Sequence, residues 1–240
     1  MPTAFRTLLN PTGETDPNFS SVSLLLHMDG ANGSTTFTDS SNNAQTVTRV
    51  GSPTTSTTQV KFGTASAAVG GANYLTLPNT ASLYDFGTDD FTIEFWFYYS
   101  SSQIGQIQAL VRSANQSGSL SPWLFNKISG NNYMGFSWTS NGSSWILDQK
   151  SGTTAMNSNA WNHIAVTRSG GTFYGFVNGT QDWTDSTSST SAIQAGGDVL
   201  AIGRWPKYAN TPGTFYIDEL RITKGVARTI TVPTEAFPDS

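Results

Sequence analysis

Cysteine is absent from the 240 residues, which excludes a disulfide scaffold and a thiol nucleophile and leaves cytosol, virion or medium open as compartments. Charge is scarce too: charged residues make up 12%, with 12 Lys+Arg against 16 Asp+Glu and a formal net charge of -4. With no basic run there is no electrostatic footprint for phosphates, and nucleic acid is not expected as a partner. No apolar stretch approaches the roughly 18–20 residues of a membrane span, and the opening MPTAFRTLLNPTG lacks a long apolar signal core, so neither a membrane anchor nor a signal peptide is expected. Helical periodicity is missing as well. Only two histidines occur, His27 and His163, both inside apolar runs, so a zinc site or a serine triad is hard to assemble and core histidines with satisfied hydrogen bonds are expected.

What is present is Ser, Thr, Asn and Gly around short runs of period two. The stretch 161–179, WNHIAVTRSGGTFYGFVNG, reads as a hairpin: Ile164 and Val166 alternate with His163, Ala165 and Thr167, and Gly170-Gly171 supplies the turn. In 91–99, Phe91, Ile93, Phe95, Phe97 and Tyr99 form one face and Thr92, Glu94, Trp96 and Tyr98 the other. Residues 22–28 are apolar enough for a strand buried on both faces. Further short strands are expected at 45–50, 59–62, 106–112, 122–128, 133–139, 145–149, 199–204 and 215–223. SPTTSTT, 52–58, reads as a surface connection, 65–69 and 74–77 as a tight hairpin about Gly70-Gly71, and 81–86 as an irregular or single-turn segment. About a dozen or more short strands with no long helix give an all-β antiparallel sandwich. Residues 1–20, punctuated by Pro2, Pro11, Gly13 and Pro17, form an N-terminal arm, and residues 21–240 form one domain.

Four segments together carry a resemblance: LLLHMDG at 24–30, FTIEFWFYY at 91–99, the hairpin at 161–179, and FYIDELRITKGVAR at 215–228. From about residue 21 to 235 the chain resembles the laminin G-like jelly rolls of the concanavalin A-like lectin and glucanase superfamily. The resemblance implies that 215–222 is the closing strand, returning beside the first. The Ser/Thr-rich opening at 20–41 is similar, more narrowly, to modules of bacteriophage virion proteins, which implies a place on a virion surface.

Relatives in that superfamily often hold a structural calcium, and the matching carboxylates are Asp29 and Asp218, with Asp39 and carbonyls near 63–66 as helpers. Asp29 and Asp39 could equally close turns on their own backbone. The superfamily's retaining glucanases carry Glu-x-Asp-x-x-Glu on one strand face. Here the one Glu-x-Asp, at Glu14 and Asp16, has Phe19 in the third place and lies in the arm, while Asp218-Glu219 is an adjacent pair whose side chains should diverge on a strand. Catalysis is therefore not expected. For glycan, flat rings beside amides are needed, and the candidates are Trp205, Tyr208, Arg204 and Asn210, with Trp138 and Trp145. The apolar Phe5, Leu8, Leu9 and Phe19 point instead to an arm that contacts neighbouring virion proteins. The primary expectation is a non-enzymatic protein fastening or decorating a capsid or tail, compatible with a homo-oligomer; the alternative is a lectin-like adhesion module for host-surface glycan, and a glycoside hydrolase ranks last.

Overall fold

The computed structural model describes residues 15–103, 108–114, 120–196, 198–203 and 213–240. In chain order the strands are β1 (Val22–Leu26), β2 (Thr48–Val50), β3 (Thr54–Ser56), β4 (Ser66–Val69), β5 (Tyr74–Pro78), β6 (Phe91–Tyr98), β7 (Gln108–Ala114) and β8 (Trp123–Lys127). They continue with β9 (Met134–Trp138), β10 (Leu147–Lys150), β11 (Trp161–Ser169), β12 (Thr172–Val177), β13 (Thr180–Asp185), β14 (Val199–Ile202) and β15 (Phe215–Lys224). An eight-stranded sheet runs β13-β12-β11-β6-β15-β4-β3, with β1 also paired to β15. A seven-stranded sheet runs β10-β9-β8-β7-β14-β5-β2. All the pairings are antiparallel, as expected for the all-β sandwich.

Alternation decides what fills the space between the sheets. Phe91, Ile93, Phe95 and Phe97 of β6 are fully buried in one core with Ile164 and Val166 of β11 and Trp123, Phe125 and Phe136 of the other sheet. Phe95 meets Phe125 across the sheets edge-on, with ring centroids 5.3 Å apart, an arrangement the ring quadrupoles favour. β1 has no polar face because it is covered twice. Leu24 and Leu26 enter the main core, while Val22 and Leu25 join Phe237 and Phe19 in a second cluster on the far side.

Four expectations need correction. The stretch 52–58 is not merely surface connection: Thr54–Ser56 is β3, paired with β4. Buried Thr55 is tolerated because its hydroxyl donates to Ala31 O at 2.7 Å, so little polar capacity is stranded. Residues 59–62 form a loop instead of a strand. Residues 65–69 and 74–77 flank the expected tight turn, in which Gly70 and Asn73 exchange both backbone hydrogen bonds, but the strands part beyond it, β4 pairing with β15 in one sheet and β5 with β14 and β2 in the other. Gly70 and Gly71, at φ of 122° and 64°, turn the chain from sheet to sheet, a conformation that costs glycine little. Finally, Asp218 and Glu219 do not diverge. A bulge lies between Asp218 and Arg221, Glu219 sits at φ 48°, and the extra residue turns both carboxylates toward the outer side.

The arm is partly docked. Asp16 N–H donates to Ser240 O at 2.6 Å, and Phe19, half-buried, packs on its own chain against Val22, Leu25 and Phe237. Phe5, Leu8 and Leu9 lie outside the described residues.

Candidate functional site: the outer face of the eight-stranded sheet

The outward residues of β11, β6 and β15 stand in cross-strand rows. Trp161, Tyr98 and Tyr216 form the first row, and His163, Trp96 and Asp218 the second. Ala165, Glu94 and Arg221 form the third, and Thr167, Thr92 and Thr223 the fourth. Rows of this kind follow from antiparallel register, which sets directly opposed side chains against one another.

In the first row all three rings are half-buried. Trp161 lies 5.6 Å from Tyr98 with planes at 59°, and Tyr98 lies 5.9 Å from Tyr216 at 76°. The row thus crosses three strands, roughly 10 Å from first to last, and offers ring faces and ring edges in turn. Among the described residues its rim is built from serines and an asparagine. Asn159 and Ser101 are exposed, Asn159 Oδ1 accepts from Ser101 N–H at 3.0 Å, and Ser100 Oγ lies 2.7 Å from Ser102 Oγ.

The lower rows are covered and charged. Residues 225–240 cross them as an irregular strap, while loop 59–63 covers the second row. Arg221 donates to Glu94 Oε1 through Nη2 at 2.7 Å and Nε at 3.1 Å, and its Nη1 donates to Asp16 Oδ2 at 3.2 Å. The Phe237 ring centroid lies 3.8 Å from the Arg221 guanidinium. Arg228 grips Asp16 with both Nη atoms, at 2.9 and 2.7 Å. His163 Nε2 stands 3.3 Å from Glu94 Oε2, yet neither ring nitrogen makes a well-formed hydrogen bond. Burial works against the Glu94 charge, but His163 and Arg221 outweigh it and hold the carboxyl below its ordinary value. The same contest at Asp16 is settled downward by Arg228. A cleft of about 240 Å³ lies between Glu94 and Arg221 and the strap, edged by Thr229, Thr231 and Glu235.

At the far corner His27 is a clasp, not the core histidine expected. Nδ1 bonds the Glu219 carboxylate at 2.9 Å and Nε2 bonds Asp239 Oδ1 at 2.6 Å. Burial opposes its charge, but these bonds and the two negative charges push its pKa up to about 10. Glu219 also accepts from Phe237 N–H at 3.0 Å, so the strap is fastened at side chain and backbone together.

The proposed calcium ligands fall in two places. Asp39 accepts from Leu25 N–H, Ser41 N–H and Gln45 N–H and so closes its own loop away from the others. Asp29 and Asp218 do approach one loop: Asp218 Oδ2 accepts from Lys61 and Phe62 N–H at 2.8 and 3.3 Å, and Asp29 Oδ1 from Thr64 and Ala65 N–H. A Cβ at Gly63 would collide with the Asp29 carboxylate, so glycine is required there. Burial, with the Glu219 and Asp29 charges, pushes Asp218 up to about 8. The fit to calcium is poor, because a hard cation takes six to eight oxygens and here amide donors point at the carboxylates. No group of three or more metal-ligating side chains occurs among the described residues.

Of the expected glycan residues, Trp138 is fully buried in the core, stacked on Phe173 at 5.4 Å, and cannot meet a ligand as placed. Trp145 is half-buried in the β9–β10 connection. Arg204, Trp205, Tyr208 and Asn210 lie outside the described residues. The row Trp161, Tyr98 and Tyr216 was not expected from the sequence, although a signal existed: each is an outward residue near the end of a strand in one of the three later motifs, and antiparallel pairing brings such ends together.

No curated protein sequence matches the chain significantly. Among solved structures, the binding domain of Paraclostridial Mosquitocidal Protein 1 is similar with a TM-score of 0.65 and 14% identity, over 92% of this chain and 50% of that one. The structure titled for the dependence of botulinum neurotoxin type C cell entry on two ganglioside molecules has a TM-score of 0.64 and 17% identity, over 87% and 49%. The binding domain of botulinum neurotoxin DC in complex with SialylT has a TM-score of 0.63 and 16% identity, over 87% and 49%. The chain spans about half the length of these structures, and at such identities the likeness is one of fold. A family model described as the concanavalin A-like lectin/glucanases superfamily, of laminin G type, matches residues 69–229. The chain belongs to that laminin G-like family.

Proposed function

We propose that this protein is a non-catalytic, lectin-like binding module that takes glycan on the open end of the eight-stranded sheet. The observation that supports the reading is the row Trp161, Tyr98 and Tyr216, three half-exposed rings in register on adjacent strands beside hydroxyls and an amide. A sugar ring has apolar C–H faces and a hydroxyl rim, and this combination meets both. The ganglioside and SialylT named for the neurotoxin structures agree with glycan recognition in this superfamily. Glu94, held charged by Arg221, is poorly suited to donate or accept a proton near neutral pH. The test is a screen of wild type and Trp161→Ala on an oligosaccharide array. Binding that falls about tenfold or more in the variant supports the reading, and unchanged binding refutes it.

The setting on a phage virion, with host-surface glycan as the ligand and weak sites multiplied by copy number, is proposed from the sequence resemblance alone. Fastening to capsid or tail proteins through the N-terminal arm, residues 1–20, and sheet edges, or through a homo-oligomer, is a compatible second role. Among the described residues no helix is long and apolar enough to cross a membrane.

A further inference from the structure

The cations on the outer face are not alike. Arg221, Arg228 and His27 are each tied to carboxylates. Lys61, half-buried on the loop over the second row, enters no ion pair among the described residues. Its ammonium is held by rings instead, 4.0 Å from the Trp96 centroid and 4.8 Å from that of Phe62. Its backbone is fixed as well, because Lys61 N–H donates to Asp218, and Phe62 packs edge-on against Trp96 at 5.9 Å. A cation on a ring face keeps its charge and some of its N–H donors free for a further acceptor.

Trp96 and Tyr98 are two residues apart on one face of β6, so their rings stand about 7 Å apart along the strand. The Lys61 ammonium is therefore within one sugar's reach of the aromatic row. The adjoining Asp218 carboxyl is engaged by backbone instead, its Oδ2 accepting from Lys61 and Phe62 N–H at 2.8 and 3.3 Å.

Resting on the glycan reading above, we infer that the ligand is an acidic oligosaccharide, with a neutral ring on Trp161, Tyr98 and Tyr216 and a carboxylate or sulfate on Lys61. The lysine is a specificity residue: it selects the charged sugar, while the row supplies most of the affinity.

The test uses the full chain on matched pairs of oligosaccharides that differ only in a sialic acid, a uronic acid or a sulfate. At about 10 mM salt, where the Debye length is about 30 Å, the acidic member of a pair binds about two- to fivefold tighter, and the preference disappears near 1 M. Lys61→Gln removes the preference and leaves the neutral affinity in place, while Lys61→Arg keeps it. Sialyl, uronyl and sulfated arms identify which acid is taken. If acidic and neutral members bind alike and Lys61→Gln changes nothing, while Trp161→Ala still abolishes binding, this inference fails and the glycan reading stands. If wild type binds no member, or Trp161→Ala is silent, both fail.

Discussion

The two ends of one sheet face meet different fates although the same three strands build both. At the open end, Trp161, Tyr98 and Tyr216 stay half-exposed beside serines and Asn159. At the other, Glu94 is covered by the strap and is paired with Arg221 through two hydrogen bonds. A buried charge costs several kcal/mol unless compensated, so the covered half carries a closed network with Asp16 and Arg228, which ties residues 16–18 to the strap. The open half carries no such debt, and its rings stay half-exposed. Burial of charge fixes residues 16–18 and the strap to the sheet, and the lack of charge among the described residues at the open end leaves a surface.

The largest effect expected from breaking this division is at the covered end. Arg221→Met strands Glu94 without its guanidinium and should destabilise the domain by roughly 3–5 kcal/mol in urea unfolding, with glycan binding intact in the molecules that remain folded.

Next comes the clasp. His27→Gln should lose about 2 kcal/mol at pH 6, an order-of-magnitude figure for a partly buried doubly bonded imidazolium. Because the folded pKa is raised, the stabilisation is fully present below the ordinary value of 6.5 and fades as pH rises through about 10. The gap between wild type and variant in urea melts should therefore close between pH 6 and pH 10, and a gap that widened would refute the clasp.

At the open end Trp161→Ala should cost only about 1 kcal/mol of stability, while costing the binding described above. The smallest effect concerns calcium, the expectation least well served by the donors found. Because amides occupy the Asp29 and Asp218 oxygens, added calcium or chelator should leave the melting temperature unchanged, and a clear rise with calcium would show that the loop rearranges to admit a cation.

The sequence made the inner face legible and the outer face much less so. Alternation alone places Phe91, Ile93, Phe95 and Phe97 in the core, since a large apolar residue at every second position has one place to go. The outer rows depend on which strands are neighbours and in what register, and Tyr98, Trp161 and Tyr216 are far apart along the chain. The bulge that turns Asp218 and Glu219 to the same side breaks the alternation rule by which they were read. The strap has no period at all, so Arg228 and Phe237 gave no sign that they would cover Glu94 and Arg221. Trp138 shows the converse error: beside a loop in the sequence it reads as a ligand contact, but its ring is fully buried in the core.

The most direct measurement is a titration followed by nuclear magnetic resonance, with an oligosaccharide from the array screen and with tryptophan indole and tyrosine ring signals assigned. Shifts concentrated at Trp161, Tyr98 and Tyr216, with the Arg221 and Arg228 side chains undisturbed, would uphold binding at the open end. Shifts centred on the strap or on the seven-stranded sheet, with Trp161 silent, would contradict it.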